Sequence, residues 1–144
     1  MYENNYKTVT ILLVDDDDVD AEGVQRAFKK LKIANPLVRA KHGKECLDIL
    51  TNNAVKRPYI ILLDLNMPVM SGLETLHAIR EEPMLTDSIV FILTTSKDDE
   101  DKIAAYKAHV AGYIVKSDIE EGFEGLLKML EHYWRVVELP EKSS

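Results

Sequence analysis

The chain has 144 residues, enough for one domain, and its 46% hydrophobic and 30% charged residues suit a globular domain with one core. Eighteen basic against 25 acidic residues leave a net charge of −7, which argues against binding to nucleic acid or to an anionic membrane surface. A lone cysteine excludes a disulfide framework and a thiolate zinc site, no apolar run nears the ~20 residues of a membrane span, and the polar start lacks a signal-peptide core, so a cytoplasmic protein is expected.

Residues 1–8 read as a tail. The first apolar run, Val9–Val14, reads as a buried strand and ends in Asp15 and Asp16. A helical pattern follows over Val19–Leu31, with Asp18 as its cap, Asp20 and Glu22 in its first turn, and Lys29, Lys30 and Lys32 at its end. Leu37–Ala40 is the second strand; Pro36 and Arg39 suit an edge, and no comparable reactive group closes it. The helix Gly43–Asn53 carries Cys46 among core positions. The third strand, Tyr59–Leu63, ends in Asp64 and leads to a helix over Gly72–Glu82. The fourth, Ile89–Leu93, ends in Thr94; capping-box spacing at Ser96–Asp99 opens a helix over Asp98–His109. The fifth, Gly112–Val115, ends in Lys116, and the same spacing at Ser117–Glu120 opens the last helix, Ile119–Val137. On that helix Leu126, Leu130, Tyr133, Trp134 and Val137 fall at helical spacing, either as core contacts or, for Trp134 above all, as a dimer contact. Fraying is expected over 141–144, and the four histidines show no ligand spacing.

Strands alternating with helices imply an α/β fold, a parallel sheet covered on both faces, with function gathered beyond the carboxyl ends of the strands. Those ends carry Asp15, Asp16, Asp64, Thr94 and Lys116. Two carboxylates about 5 Å apart in an effective dielectric of ~20 repel by roughly 3 kcal/mol. A hard divalent cation relieves this, and an all-oxygen set selects Mg2+, which also binds phosphate oxygens. With the Lys116 ammonium and the Thr94 hydroxyl beside it, such a site suits a phosphoryl group, and Asp64, mid-sheet, is the candidate nucleophile for an aspartyl phosphate.

The acidic pair Asp15–Asp16, the run Asp64-Leu65-Asn66-Met67-Pro68-Val69-Met70-Ser71-Gly72, and then Thr94 and Lys116 resemble the receiver domain of two-component response regulators, over roughly Val9 to Val137. The resemblance implies the flavodoxin-like (βα)5 fold with strand order 2-1-3-4-5, and phosphorylation of Asp64 by a sensor histidine kinase. It further implies Mg2+ held by Asp16, Asp64 and the Asn66 carbonyl, with Asp15 acting mainly through water. Tyr113 matches the aromatic switch position that moves with Thr94, and Thr95 borders the path of water to the phosphoryl group. The family usually has proline after the lysine, often with a cis bond. Here Ser117 follows Lys116, and a cis bond to a non-proline costs about 2.5–4 kcal/mol. The stretch Glu131–Pro140, with Thr94-Thr95-Ser96, is similar to the stand-alone receivers that serve bacterial phytochrome-type kinases.

The resulting expectation is a receiver domain over 9–137, a tail over 138–144 and no output domain. It would signal through a phosphorylation-dependent contact surface and catalyse only its own phosphorylation and dephosphorylation. A homodimer through the fourth helix, fifth strand and last helix is the simplest partner. Two other functions compete. Asp15-Asp16-Asp17-Asp18-Val19 fits the D-x-D-x-[TV] pattern of haloacid-dehalogenase-type phosphatases, with Asp15 as nucleophile, but leaves the Asp64 run unexplained. A nucleotide-binding module lacks its glycine-rich loop, since none of the 6 glycines forms G-x-G.

Overall fold

The computed structural model describes residues 8–119 and 121–141. Five parallel strands, β1 (Thr10–Val14), β2 (Leu37–Ala40), β3 (Tyr59–Leu63), β4 (Ile89–Thr94) and β5 (Gly112–Val115), lie in the order β2-β1-β3-β4-β5. Helices α1 (Asp18–Lys30), α2 (Gly43–Thr51), α3 (Gly72–Glu81), α4 (Asp99–Lys107) and α5 (Glu124–Val136) fill the crossovers and close the chain. The expected α/β fold and strand order are those observed, and β2 lies at an edge.

The apolar strand runs divide by alternation between the two faces of the sheet. Leu12, Val14, Ile61, Leu63, Val90 and Ile92 pack with Cys46 and Leu50 of α2, Leu76 and Ile79 of α3 and Ala105 of α4. Ile11, Leu13, Ile60, Leu62, Phe91 and Leu93 pack with Ala21, Val24 and Phe28 of α1 and Leu126, Leu127, Leu130 and Trp134 of α5. β3, buried along its whole length, is the common wall of both cores. Trp134 is therefore core, and Tyr133 stacks edge-on against Phe91 with ring centroids 5.2 Å apart. Val136 and Val137 are the exposed apolar residues at the end of α5. Leu139, in the expected tail, packs onto the same core.

Helix starts differ from expectation by local hydrogen-bond geometry. Asp17 rather than Asp18 caps α1, its carboxylate accepting from the Val19 and Asp20 amides. Asp98 caps α4, so Ser96 and Asp99 form no capping box; the box that does form joins Ser71 to Glu74 at α3. The last helix does not begin at Ile119. Two 3-10 turns, Lys116–Asp118 and Glu121–Phe123, precede α5, and Gly122 and Phe123 take left-handed φ values of 79° and 63°. Helical continuity yields there to packing, because the Phe123 ring fills the space a side chain at Gly23 of α1 would occupy. The expected Ser117–Glu120 capping box involves Glu120, outside the described residues, as are 1–7 and 142–144 of the expected tails. Among the described residues, no helix is long and apolar enough to cross a membrane.

Candidate functional site

Parallel pairing carries the expected polar residues to one end of the sheet. Asp15 directly follows β1, and its backbone N–H donates to the Ala40 carbonyl at 3.0 Å. Asp64 follows β3, with its N–H on the Val14 carbonyl at 3.0 Å. The two aspartates thus leave neighbouring strands side by side. Asp15 is 1% exposed and Asp64 6%, whereas Asp16 is open to solvent. Carboxylate oxygens of Asp15, Asp16 and Asp64 all lie within 4.8 Å of one another. Three carboxylates this close are stable together only with cations among them, and a hard divalent ion fits the donor set.

Part of that positive charge comes from Lys116. Its ammonium donates to Asp20 Oδ2 at 2.7 Å and Asp15 Oδ2 at 2.9 Å, and lies 3.5 Å from Asp64 Oδ2. Burial works against the ammonium, but the carboxylates of Asp20 and Asp15, with the charge of Asp64, outweigh it and hold its pKa above the ordinary lysine value. For Asp15 the balance is opposite: desolvation raises its pKa despite Lys116 and the Asp17 amide, which donates to Asp15 Oδ1 at 2.9 Å. Among the described residues the cis peptide bond is Arg57–Pro58, so the Lys116–Ser117 bond is trans, and Lys116 reaches the carboxylates all the same.

The loop after Asp64 is held by the glycine at its end. A side chain at Gly72 would fall on the Asp64 carbonyl and Leu65 Cα, and the Gly72 N–H donates to the Leu65 carbonyl at 2.9 Å. Only glycine brings the start of α3 this close behind Asp64. Asn66, which is exposed, donates its backbone N–H to Asp64 Oδ1 at 3.3 Å.

Thr94 closes β4 fully buried, its hydroxyl oxygen accepting from the Ser96 N–H at 3.3 Å. The Tyr113 hydroxyl, from β5, donates to the Ser96 carbonyl at 3.0 Å, and the half-buried ring packs on the core beneath. One residue, Ser96, thus links Thr94 to Tyr113. Thr95 between them is exposed.

Asp15, Asp16, Asp64 and Lys116 therefore form one cluster, and Thr94 and Tyr113 a second group on the neighbouring strands. Three contributors went unread in the sequence. Asp20 looked like a first-turn helix charge, though it stands one turn beyond Asp16. Ser96 acts through its backbone, which no side-chain pattern reveals. Arg39 looked like an edge marker, yet it sits on the strand beside β1, just before the level of the acidic pair.

Comparison with known proteins places this geometry. The model of the response regulator receiver domain matches residues 11–128. Response regulator Rcp1 of Synechocystis is 35% identical over 135 residues, which cover 90% of this chain and 92% of that protein. The solved structure of the Mn2+-bound form of Rcp1 is 34% identical, covering 91% of this chain and 98% of that one, with a TM-score of 0.80. That of the phosphorylated cyanobacterial phytochrome response regulator RcpA is 33% identical, covering 91% of this chain and 97% of that one, with a TM-score of 0.81. The phosphatase reading with Asp15 as nucleophile is not favoured, since the receiver-domain match spans most of the chain and takes in the Asp64 run that this reading leaves unexplained. With its acidic cluster and lysine at the carboxyl ends of a 2-1-3-4-5 sheet, this chain belongs to the response regulator receiver domain family.

Proposed function

We propose that Asp64 accepts a phosphoryl group from a sensor histidine kinase, of the phytochrome type, in a Mg2+-dependent reaction. The observation that carries this reading is the Asp64 carboxylate itself, nearly buried between the acidic pair and Lys116. In the transfer, the P–N bond of a kinase phosphohistidine breaks as a bond forms from an Asp64 carboxylate oxygen to phosphorus. The imidazole nitrogen keeps the electron pair, and nothing is oxidised or reduced. Asp16 and Asp64, with the Asn66 carbonyl and with Asp15 acting mainly through water, would hold Mg2+, which would supply charge neutralisation for the phosphoryl oxygens. Lys116 pairs with the phosphoryl group from the other side, and Thr94 donates its hydroxyl to it.

The contact surface changes through Thr94, Ser96 and Tyr113. A Thr94 hydroxyl drawn to the phosphoryl group pulls on the Ser96 amide, and with it on the carbonyl that holds Tyr113. To invert a 1:99 population, phosphorylation must favour the active state by ~5.5 kcal/mol, within reach of several charge-assisted hydrogen bonds. Self-association through α4, β5 and α5 is part of this proposal, with Ile103 and Tyr106 of α4 and Met129 and Val136 of α5 as exposed apolar side chains.

Incubation with Mg2+ and acetyl phosphate, followed by mass spectrometry, tests the acceptor. Label is expected on Asp64 and absent from Asp64→Asn; label on Asp15 overturns the assignment. In the same assay Thr95→Ala loses its phosphate faster than the wild type, because a smaller side chain opens the approach of water; a slower loss refutes steric shielding.

A further inference from the structure

The edge strand β2 sends one charged side chain to the backbone of the acidic pair. Arg39 Nε and Nη2 both donate to the backbone carbonyl of Asp15, at 3.1 and 2.9 Å, while Nη1 donates to Asp18 Oδ1 at 2.7 Å. Its side chain is 18% exposed, largely sunk between β2 and the start of α1. The carbonyl it grips belongs to the peptide that joins Asp15 to Asp16. That peptide is planar, so holding its oxygen restrains the plane from which both acidic residues continue and narrows the directions open to their side chains. On the other side of Asp15, the N–H is held by the Ala40 carbonyl of the same strand. β2 therefore holds Asp15 through both its backbone N–H and its carbonyl, the latter at the junction with Asp16.

A guanidinium suits this task because its rigid fork delivers parallel N–H donors to one oxygen and a third to a carboxylate. A lysine ammonium offers only a point contact. Asp18, exposed and outside the carboxylate cluster, serves as the outer anchor that keeps the fork turned toward Asp15. A fixed positive charge near a cation site also repels the cation. The two effects of Arg39 on metal binding thus have opposite signs, and an experiment can separate them.

We infer that Arg39 is a positioning residue for the divalent cation site, orienting Asp15 and Asp16 through the peptide between them. The inference rests on the reading of Asp15, Asp16 and Asp64 as that site.

Mg2+ titration by calorimetry on the full chain tests it, with melting curves in chelator to confirm that each variant is folded. Arg39→Met is expected to weaken Mg2+ binding about tenfold, the usual scale for a group that orients ligands, although it removes a repelling charge. If charge were all that mattered, Arg39→Met would bind Mg2+ more tightly; if Arg39 only supported the fold, the melting point would fall and the affinity would not. Unchanged or tighter binding overturns the inference. Should Arg39→Met fail to fold, Arg39→Lys decides with the charge kept: weaker binding supports positioning, and equal or tighter binding refutes it. Asp16→Asn separates this from the underlying reading. If it leaves the wild-type Mg2+ affinity intact, the carboxylates are not the site and the error lies there, not with Arg39.

Discussion

Lys116 is shared among carboxylates that will not all keep it. Its ammonium sits closer to Asp20 than to Asp64, at 2.7 against 3.5 Å, and the pair with Asp20 is largely shielded from water. On the proposed function, a phosphoryl group on Asp64 would draw the ammonium from Asp20, so Asp20 would oppose phosphorylation at rest. Asp20→Asn should raise the rate of labelling by acetyl phosphate several-fold. Asp17→Asn removes the same charge without touching Lys116 and keeps a competent helix cap, so its rate should stay near the wild type. Equal acceleration in both variants would assign the effect to net charge instead. The clustering of Asp15, Asp16, Asp64 and Lys116 is legible in the sequence because these residues follow apolar strand runs, and a parallel sheet brings such ends together; Thr94 ends its strand too but stands in the neighbouring group. Asp20 and Arg39 are not legible in this way, because neither ends a strand: one reaches Lys116 from the first turn of a helix, and the other reaches the Asp15 carbonyl from within an edge strand. Cys46, a core position in the helical pattern, is fully buried, and desolvation pushes its pKa up to about 12.

The element that most directly shapes the surroundings of Asp64, the proposed acceptor, is the loop from β3 to α3. Val69 has a φ of 70° and is 80% exposed, and the Met70 N–H closes a tight turn onto the Pro68 carbonyl at 2.7 Å. A three-residue turn with positive φ at its centre is strained, and a β-branched residue is the worst suited to it. The strain lets the chain double back so that Gly72 meets the Asp64 carbonyl. Relief of such a conformation is worth about 1–3 kcal/mol, offset by about 0.5–1 kcal/mol for glycine's freedom in the unfolded chain. Val69→Gly should therefore stabilise the protein by about 1 kcal/mol in urea unfolding, with m unchanged. A loss of stability would mean that the Val69 side chain makes contacts worth more than the strain. Hydrophobic periodicity located all five helices, but it cannot register a residue forced into left-handed backbone by its neighbours. This is why α5 starts five residues later than its pattern suggested: Phe123 gives up helical geometry to pack on Gly23.

At the scale of the whole molecule, the sheet separates two cores, and α5 is the last element to close one of them. Its apolar stripe reads equally well as core or as interface, and burial decides between them: Leu126, Leu127, Leu130 and Trp134 face inward, while Met129 and Val136 stay exposed. Replacing Trp134 by alanine removes a large buried side chain and leaves a cavity, which typically costs 3–5 kcal/mol. Trp134→Ala should thus unfold at much lower urea but associate, while folded, as the wild type does. The surface proposed for self-association instead holds Ile103 and Tyr106, 55% and 50% exposed on α4. Exposed positions tolerate charge within about 0.5 kcal/mol of stability. Ile103→Glu should leave urea unfolding nearly unchanged. An isologous two-fold contact presents each such residue twice, so one substitution places two carboxylates in the interface. Sedimentation with and without beryllofluoride, as a mimic of the phosphoryl group, reads the outcome. A dimer that forms with the mimic in the wild type and in Trp134→Ala, but not in Ile103→Glu, locates the switch surface on α4. A dimer lost in folded Trp134→Ala and kept in Ile103→Glu would move it to the end of α5, and a monomer in every sample would leave the α4 face to a different protein.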